Sequence, residues 1–504
     1  MLKYLKDHRI YLLLSLILSI VIYSYNFTSR LNLSLNDEAI YILGDQASYP
    51  GFGPFYLAYY QLLKYFIASP IELFYLQNFF ISLIAFPFSI YLLLNSIHLN
   101  SLRTFLITTV ATLAYWNFPS DNKVQIFNFI YLVIIFIYFW PKKRLLFYLG
   151  LTLSLFIRQD NLILLIVFLI FDHLKYYLIP LISFPIFSLI FSNPFSKIRS
   201  LDTFIDHLYF SNLKHQQFQI PDNIHYKVFF QKFLNHPQSL LDIVINHPEV
   251  ISRQVIHNLK QSPEGIIQIF SLGLKTNFSY PLYSAAILIL MFIVAAFYKT
   301  ENKIEINKPT KIFLSALFIK CILTCLLLSW WTKYSFELFF ILMILFFIIA
   351  DRIVKKTSKQ SLAMTALIFP LIFVGYKFIP YQGTQNVALK QSIQKINNLL
   401  IPNQHLNLFA PNNLKAYLHT PVKIFDPLVK THDYDLLRNG HFTLEQFSII
   451  ILPNQYQIDL ENVGINITQS VYQLDPDIFV INHEQHSNLI FVYKKSLSSL
   501  SETR

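Results

Sequence analysis

Four stretches of this chain hold side chains able to move a proton or grip an anion. The first reads Asn36-Asp37-Glu38-Ala39-Ile40-Tyr41, followed by Gly51-Phe52-Gly53-Pro54-Phe55-Tyr56. Adjacent carboxylates just beyond an apolar helix stand at a bilayer surface, where Asp37 or Glu38 could take the proton from a hydroxyl or amine. The same pair also suits the solvated start of a helix, and residue type alone leaves both readings open. The Gly and Pro residues shape a turn ahead of an aromatic helix with Tyr56, Tyr59 and Tyr60. In the other three stretches Lys123, Arg158 and Lys333 are lone basic residues in short, base-poor loops. Cations there could neutralise a departing phosphate or could simply snorkel at an interface. Asp160 is either a further acid or the ion-pair partner of Arg158. Asp121, at another loop tip, suits contact with an acceptor or a metal.

The elements that must position these groups are read from composition first. Of 504 residues, 54% are hydrophobic, 17% aromatic and 13% charged, and 49 are Phe and 31 Tyr. A soluble chain carries about 25% charged residues, so neither a disordered chain nor a soluble enzyme fits. The formal charge of +12 sits in clusters between apolar runs, a pattern that sets membrane orientation, and nucleic acid is not an expected partner. A crossing helix needs roughly 20 apolar residues. Eleven segments qualify by pattern: 10–27, 73–94, 104–118, 126–140, 145–157, 161–172, 177–192, 279–298, 312–331, 335–350 and 361–378. The pair 145–157 and 161–172 is short and reads as two half-length helices joined at the Arg158-Gln159-Asp160 tip. A single long kinked span is the other reading, and it would reverse all downstream orientation.

Lys and Arg crowd alternate loops, as in Lys3, Lys6 and Arg9, in Lys142-Lys143-Arg144 and in Lys355-Lys356. That bias places the N-terminus in the cytoplasm and the C-terminal region outside. The expected architecture is therefore an α-helical polytopic membrane protein with about 11 membrane segments. Residues 1–378 form the membrane module, with outer loops at about 28–72 and 193–278, and residues 379–504 form a small extracytoplasmic α/β domain. In that domain, short runs with β character lie at Leu406–Ala410, Val422–Phe425, Phe447–Leu452, Ile478–Ile481 and Leu489–Tyr493, with helices expected at Asn413–Leu418 and Asp433–Arg438. The 193–278 loop reads as amphipathic helices on the outer surface, as at Val250–Leu259.

Other features are mostly bland. Cys321 and Cys325 read as small packing residues, because two cysteines make no framework. Histidines 207, 215, 225, 236, 247 and 257 read as surface residues. Lys320 lies inside an apolar segment, which marks a functional candidate, although it could also snorkel. Ten glycines form no phosphate loop. Asp37, Glu38 and Asp121 could hold a divalent cation such as magnesium or manganese, but no complete ligand set is visible, so no metal or other cofactor is assigned.

A multi-span layout with an acidic pair in the first outer loop, a Gly/Pro-aromatic stretch after it and an outer C-terminal domain resembles the GT-C glycosyltransferases. Within them it is most similar to the protein mannosyltransferase and lipid A aminoarabinose transferase branch. The layout covers most of the membrane region; the motifs cover only about 28–60, 156–161 and 330–336. The resemblance implies a sugar donor on a polyprenyl phosphate, an acceptor that is a lipid, glycan or protein at the outer face, and residence in a bacterial plasma membrane. It implies Asp37 as the base with Glu38 beside it, and Tyr41 at a position where the family carries an aromatic. Lys333-Tyr334, after Trp330-Trp331-Thr332, is similar to the family's Arg-Tyr, with Lys in place of Arg; Pro54 stands where relatives have two prolines. Lys keeps the charge but not the planar fork. The alternative from a different class is a non-enzymatic transporter or assembly factor for a lipid-linked saccharide.

Overall fold

The computed structural model describes residues 53–96, 123–171, 174–195, 226–270 and 308–328, with shorter stretches and isolated positions elsewhere. The chain divides into two compact units. One comprises Met1–Tyr23, Gln46–Ala58 and Asn78–Pro380; the other comprises Ser24–Asp45, Tyr59–Gln77 and Tyr381–Arg504.

The helices in chain order are α1 (Pro54–Lys64), α2 (Pro70–Phe79), α3 (Phe86–Ser96), α4 (Lys123–Phe139), α5 (Arg144–Ser154), α6 (Asn161–Phe171), α7 (Leu178–Phe191), α8 (Tyr226–Phe233), α9 (Leu240–Asn246), α10 (Pro248–Phe270) and α11 (Lys308–Leu327). A π-helix at Phe80–Ala85 joins α2 to α3, so that Pro70–Ser96 runs as one helix of 27 residues. Its position has a cause. Pro87 lacks an N–H, and its ring crowds the preceding turn; the wider π turn, closed by Phe86 N–H on the Ile81 carbonyl, gives that ring room. This helix and α11, of 20 residues, are long and apolar enough to cross a membrane. Helices α4 to α7 are apolar but shorter.

The first unit packs α3 on α4, α4 on α5, α5 on both α6 and α7, and α6 on α11. Helix α4 is apolar all round, as befits a helix enclosed on most sides, and it buries eleven of its residues. Gly150 lets α5 approach α4 closely: a Cβ there would lie 3.2 Å from Ile135 Cγ2, and the Gly150 carbonyl accepts from the Tyr131 hydroxyl at 3.0 Å. Small residues serve this purpose where helices meet in an apolar medium. At the other end, Trp140, Phe147 and Phe168 form edge-to-face contacts, Phe136 stacks on Phe313 with ring centroids 4.2 Å apart, and the Arg144 guanidinium lies 3.4 Å from the Trp140 ring centroid. Much of the aromatic load is thus helix packing. Helix α7 turns Leu181, Ile182, Ile186, Leu189 and Ile190 outward, Leu189 being 89% exposed. A continuous apolar face of this kind matches a hydrocarbon surround.

The α5–α6 segment is a helical hairpin and not one kinked span. Phe147 and Tyr148, early in α5, meet Phe168, late in α6: the Phe147 and Phe168 rings lie 5.0 Å apart, and the Tyr148 hydroxyl donates to the Phe168 carbonyl at 3.1 Å. Each arm has 11 residues, or about 16 Å of helix, against a hydrocarbon core of about 30 Å.

The region expected to lie as amphipathic helices also closes a core of its own. Leu201, Phe204, Ile205, Leu208, Phe218, Phe230, Leu234, Ile243 and Val250 are buried together. Helix α9 starts where the Ser239 hydroxyl accepts from Asp242 N–H at 3.2 Å and the Asp242 carboxylate accepts from Gln238 N–H at 2.8 Å, a reciprocal cap. Helix α10 contains the expected Val250–Leu259 stretch and packs on α11. Its Gln254 and Asn258, one turn apart, donate to carbonyls that α11 leaves unpaired at its C-terminal end. Gln254 reaches Leu328 O at 2.9 Å, and Asn258 reaches Leu326 O at 2.7 Å. His207 and His257 are buried, contrary to a surface reading for all six histidines, since His257 shares the inward face of α10 with Gln254 and Asn258.

In the second unit, Tyr41 is buried and stacks on Tyr60, with centroids 6.4 Å apart. Lys64 donates to the Leu43 carbonyl at 3.4 Å, and burial pushes its ammonium pKa down. Phe74 meets Tyr417 edge to face, and the Tyr417 carbonyl accepts from Asn397. Five strands, β1 (Asn407–Phe409), β2 (Lys423–Phe425), β3 (Ile449–Pro453), β4 (Tyr472–Leu474) and β5 (Ile490–Lys495), form one sheet of order β2-β1-β3-β5-β4. Strand β1 runs parallel to β2 and β3, while β5 runs antiparallel to β3 and β4. Four strands fall on runs read from the sequence; β4 does not. The run at Ile478–Ile481 and the helix at Asp433–Arg438 lie outside the described residues. So do the segments 279–298 and 361–378, while 10–27, 104–118 and 335–350 are described only at isolated helical positions.

Candidate functional site

The tip of the hairpin gathers the polar chemistry of the first unit. Its turn residues Leu155, Phe156 and Ile157 are buried, and backbone groups buried there need partners. Leu155, Phe156, Ile157 and Arg158 N–H groups all donate back into the last turn of α5. The Phe156 carbonyl accepts from Phe55 N–H at 2.9 Å. Gly53, at φ 48, adopts a backbone conformation that favours glycine and leads the chain into α1 at that point. Two of the stretches singled out by sequence, the Gly/Pro-aromatic turn and the 156–161 tip, therefore meet. Gln159 closes the turn by donating its side-chain amide to the Pro194 carbonyl, just after α7.

Arg158 and Asp160 form a two-pronged pair: Nε donates to Oδ1 at 2.9 Å and Nη2 to Oδ2 at 2.8 Å. Such a grip fixes the plane of a guanidinium as well as its distance. Lys320, from the middle of α11, brings its Nζ to 3.8 Å from the same Oδ2. Burial works against the ionised Asp160 carboxyl, but the Arg158 and Lys320 cations outweigh it and hold its pKa below the usual carboxylate range. Lys320 is itself held by Glu337, at 2.8 Å to each carboxylate oxygen. Cys321 lies 3.5 Å from Glu337 Oε2.

Neutral amides complete the arrangement. Asn161, the first residue of α6, donates to Ser154 O at 2.8 Å and to Asn128 Oδ1 at 2.6 Å. Asn128 donates in turn to Asn161 Oδ1 at 3.2 Å and to Glu337 Oε1 at 3.3 Å. The polar groups thus form a closed circuit: Glu337, Lys320, Asp160, its chain neighbour Asn161, Asn128 and back to Glu337. Two cations and two carboxylates balance, which is what burial of charge demands.

The sequence-derived residues fall as follows. Arg158 is at the tip, paired with Asp160. Lys123 opens α4 and is 3% exposed, so it is enclosed and not presented on a surface. Tyr41 belongs to the second unit. Asp37, Glu38, Asp121, Lys333 and Tyr334 lie outside the described residues. Glu337 is not among the sequence-derived candidates, and it is the partner of Lys320. The signal was there: two successive apolar segments carry one ionisable residue of each sign, and such residues seek each other in an apolar medium. Among the described residues no group of three His, Cys, Asp or Glu side chains could hold a metal ion.

No family model matches this chain, and no curated protein does. Two solved structures are similar to it. The crystal structure of ArnT from Cupriavidus metallidurans in the apo state aligns over 84% of this chain and 84% of its own, with 12% identity and a TM-score of 0.33. That of ArnT from the same organism bound to undecaprenyl phosphate aligns over 96% and 98%, with 13% identity and a TM-score of 0.30. Likeness at this level leaves the functional reading to the chain's own residues.

Proposed function

We propose that this protein is an integral membrane glycosyltransferase that moves a sugar from a polyprenyl-phosphate donor to a lipid, glycan or protein acceptor on the outer face of a bacterial plasma membrane. In this reading the N-terminus is cytoplasmic and the C-terminal sheet region extracytoplasmic. The observation that carries it is the hairpin tip. Arg158 is held rigid by Asp160, backed by the Lys320 cation, and hydrogen-bonded through its turn to the Gly53–Tyr56 stretch that follows the acidic pair. A preorganised cation suits the charge that develops on a leaving phosphate. Asp37 would take the acceptor proton, with Glu38 and Tyr41 near it, while Arg158 and Lys333 hold the phosphate. Tyr334 and Asp121 complete the set of contacts, whereas the enclosed Lys123 is left out of it. A divalent cation beside Asp37 and Glu38 is testable by chelation.

The test is incubation of purified protein with polyprenyl-phosphate sugars and candidate acceptors, followed by mass analysis of products. Asp37→Asn is expected to abolish transfer while the protein still folds and inserts. Full activity in that variant would remove the proposed base.

One observation favours a second reading, that of a transporter or assembly factor for lipid-linked saccharides. The Lys320–Glu337 pair is buried among apolar helices, where a path through the bilayer would place charge. Flux of a lipid-linked saccharide in proteoliposomes without sugar transfer would select this reading.

A further inference from the structure

Burying two cations and two carboxylates is a costly way to join helices. An apolar replacement of a buried ion pair is often neutral or stabilising, so stability alone does not account for Lys320 and Glu337. Their placement suggests another task. Lys320 and Glu337 are nearly sealed, at 2% and 6% side-chain exposure, whereas Arg158 and Asp160 are each 15% exposed. Charge alternates along this gradient from Glu337 through Lys320 and Asp160 to Arg158. Glu337 also reaches the hairpin by a second route, through Asn128 to Asn161. Asn161 in turn ties down the Ser154 carbonyl at the end of α5. Glu337 therefore braces both feet of the turn that carries Arg158.

We propose that Lys320 and Glu337 are positioning residues. They hold the Asp160 carboxylate, and through it the Arg158 guanidinium, in the orientation that binds the phosphate of a polyprenyl-phosphate lipid. This rests on the donor class of the proposed function but assigns these two residues a role that neither touches the lipid nor merely stabilises the fold.

The double substitution K320M/E337M tests it. Asp160 keeps Arg158 as a partner in that variant, and Asn128 keeps Asn161, so no charge is stranded. The full chain in nanodiscs would be probed with undecaprenyl phosphate for binding and by heating for stability. K320M/E337M is expected to melt near the wild type yet bind about tenfold more weakly, the scale of a lost charge-assisted hydrogen bond. R158Q should weaken binding similarly, and adding it to the double variant should cause little further loss, because the three act as one unit. K320R/E337D, which keeps both charges, should retain most of the affinity. If K320M/E337M fails to fold, E337Q, which keeps the shape but not the charge, replaces it in the same comparison.

Wild-type affinity in a folded K320M/E337M or E337Q variant, or additive losses with R158Q, would overturn the positioning role and leave the donor class standing. Failure of the wild type to bind undecaprenyl phosphate at all would overturn the donor class and this role with it.

Discussion

Lys320 and Glu337 meet as a sealed pair, with Nζ 2.8 Å from each carboxylate oxygen across a sequence separation of seventeen residues. Removing Glu337 takes away both close contacts of the buried Lys320 ammonium and leaves only the longer one to Asp160, at 3.8 Å. Glu337→Ala is expected to destabilise the protein by about 3–5 kcal/mol, the usual cost of breaking a buried pair. Thermal unfolding in detergent, compared with K320M/E337M, measures it; a single variant as stable as the double one would show that the pair is not sealed from water.

Asp160 gives a pH signature. Its carboxyl is held below the ordinary carboxylate range in the folded protein, so the unfolded chain takes up a proton first as pH falls. The stability it contributes is fully present above its unfolded value of about 4 and is lost as pH drops through the folded value. The difference in melting temperature between wild type and Asp160→Asn should therefore be constant from pH 7 to 5 and shrink below pH 4. A difference that does not narrow would mean that Asp160 is not ionised in the fold.

Arg158 acts through a planar fork on two oxygens, which a lysine cannot copy. Arg158→Lys is expected to lower sugar transfer about tenfold or more while leaving insertion intact. Equal rates would show that a point charge suffices at the tip.

Gly150 is expected to tolerate little. Gly150→Leu drives a side chain against Ile135 and Tyr131, and overpacking of this kind costs about 1–3 kcal/mol. Gly150→Ala should cost less, and the order of the two melting temperatures checks the close approach of α4 and α5.

Asn258→Leu removes the donor that satisfies the Leu326 carbonyl, whereas the Leu328 carbonyl keeps Gln254. A loss of about 1–3 kcal/mol follows from one orphaned acceptor. Limited proteolysis near α10 should accelerate along with the loss in melting temperature.

What could be read in advance divides along physical lines. The hairpin at 145–172 was legible because two apolar runs flank the polar Arg158-Gln159-Asp160 triplet, though it takes the contacts of Phe147 and Tyr148 with Phe168 to distinguish it from a kinked span. The runs that became β2, β3 and β5 were legible because β-branched and aromatic residues cluster there, and the run of β1 because it is short and apolar. Strand β4, Tyr472–Leu474, was not, because its extended form is set by pairing with β5 across the sheet. Glu337 was illegible for a similar reason. Locally it shows only as one ionisable residue in an apolar segment, and its partners come from 320 and 128. His257 looked like a surface residue because a lone histidine does not reveal which face of α10 turns inward.

Strand β5, the fifth to be synthesised, is inserted between β3 and β4. Until residue 495 has left the ribosome and reached the compartment of the sheet, β4 has no neighbour to pair with and β3 keeps a bare edge, the kind of template that recruits foreign strands. Assembly of this region is therefore gated by its latest portion. A stop codon anywhere ahead of residue 490 should yield a chain that chaperones and proteases recognise, however complete its helices.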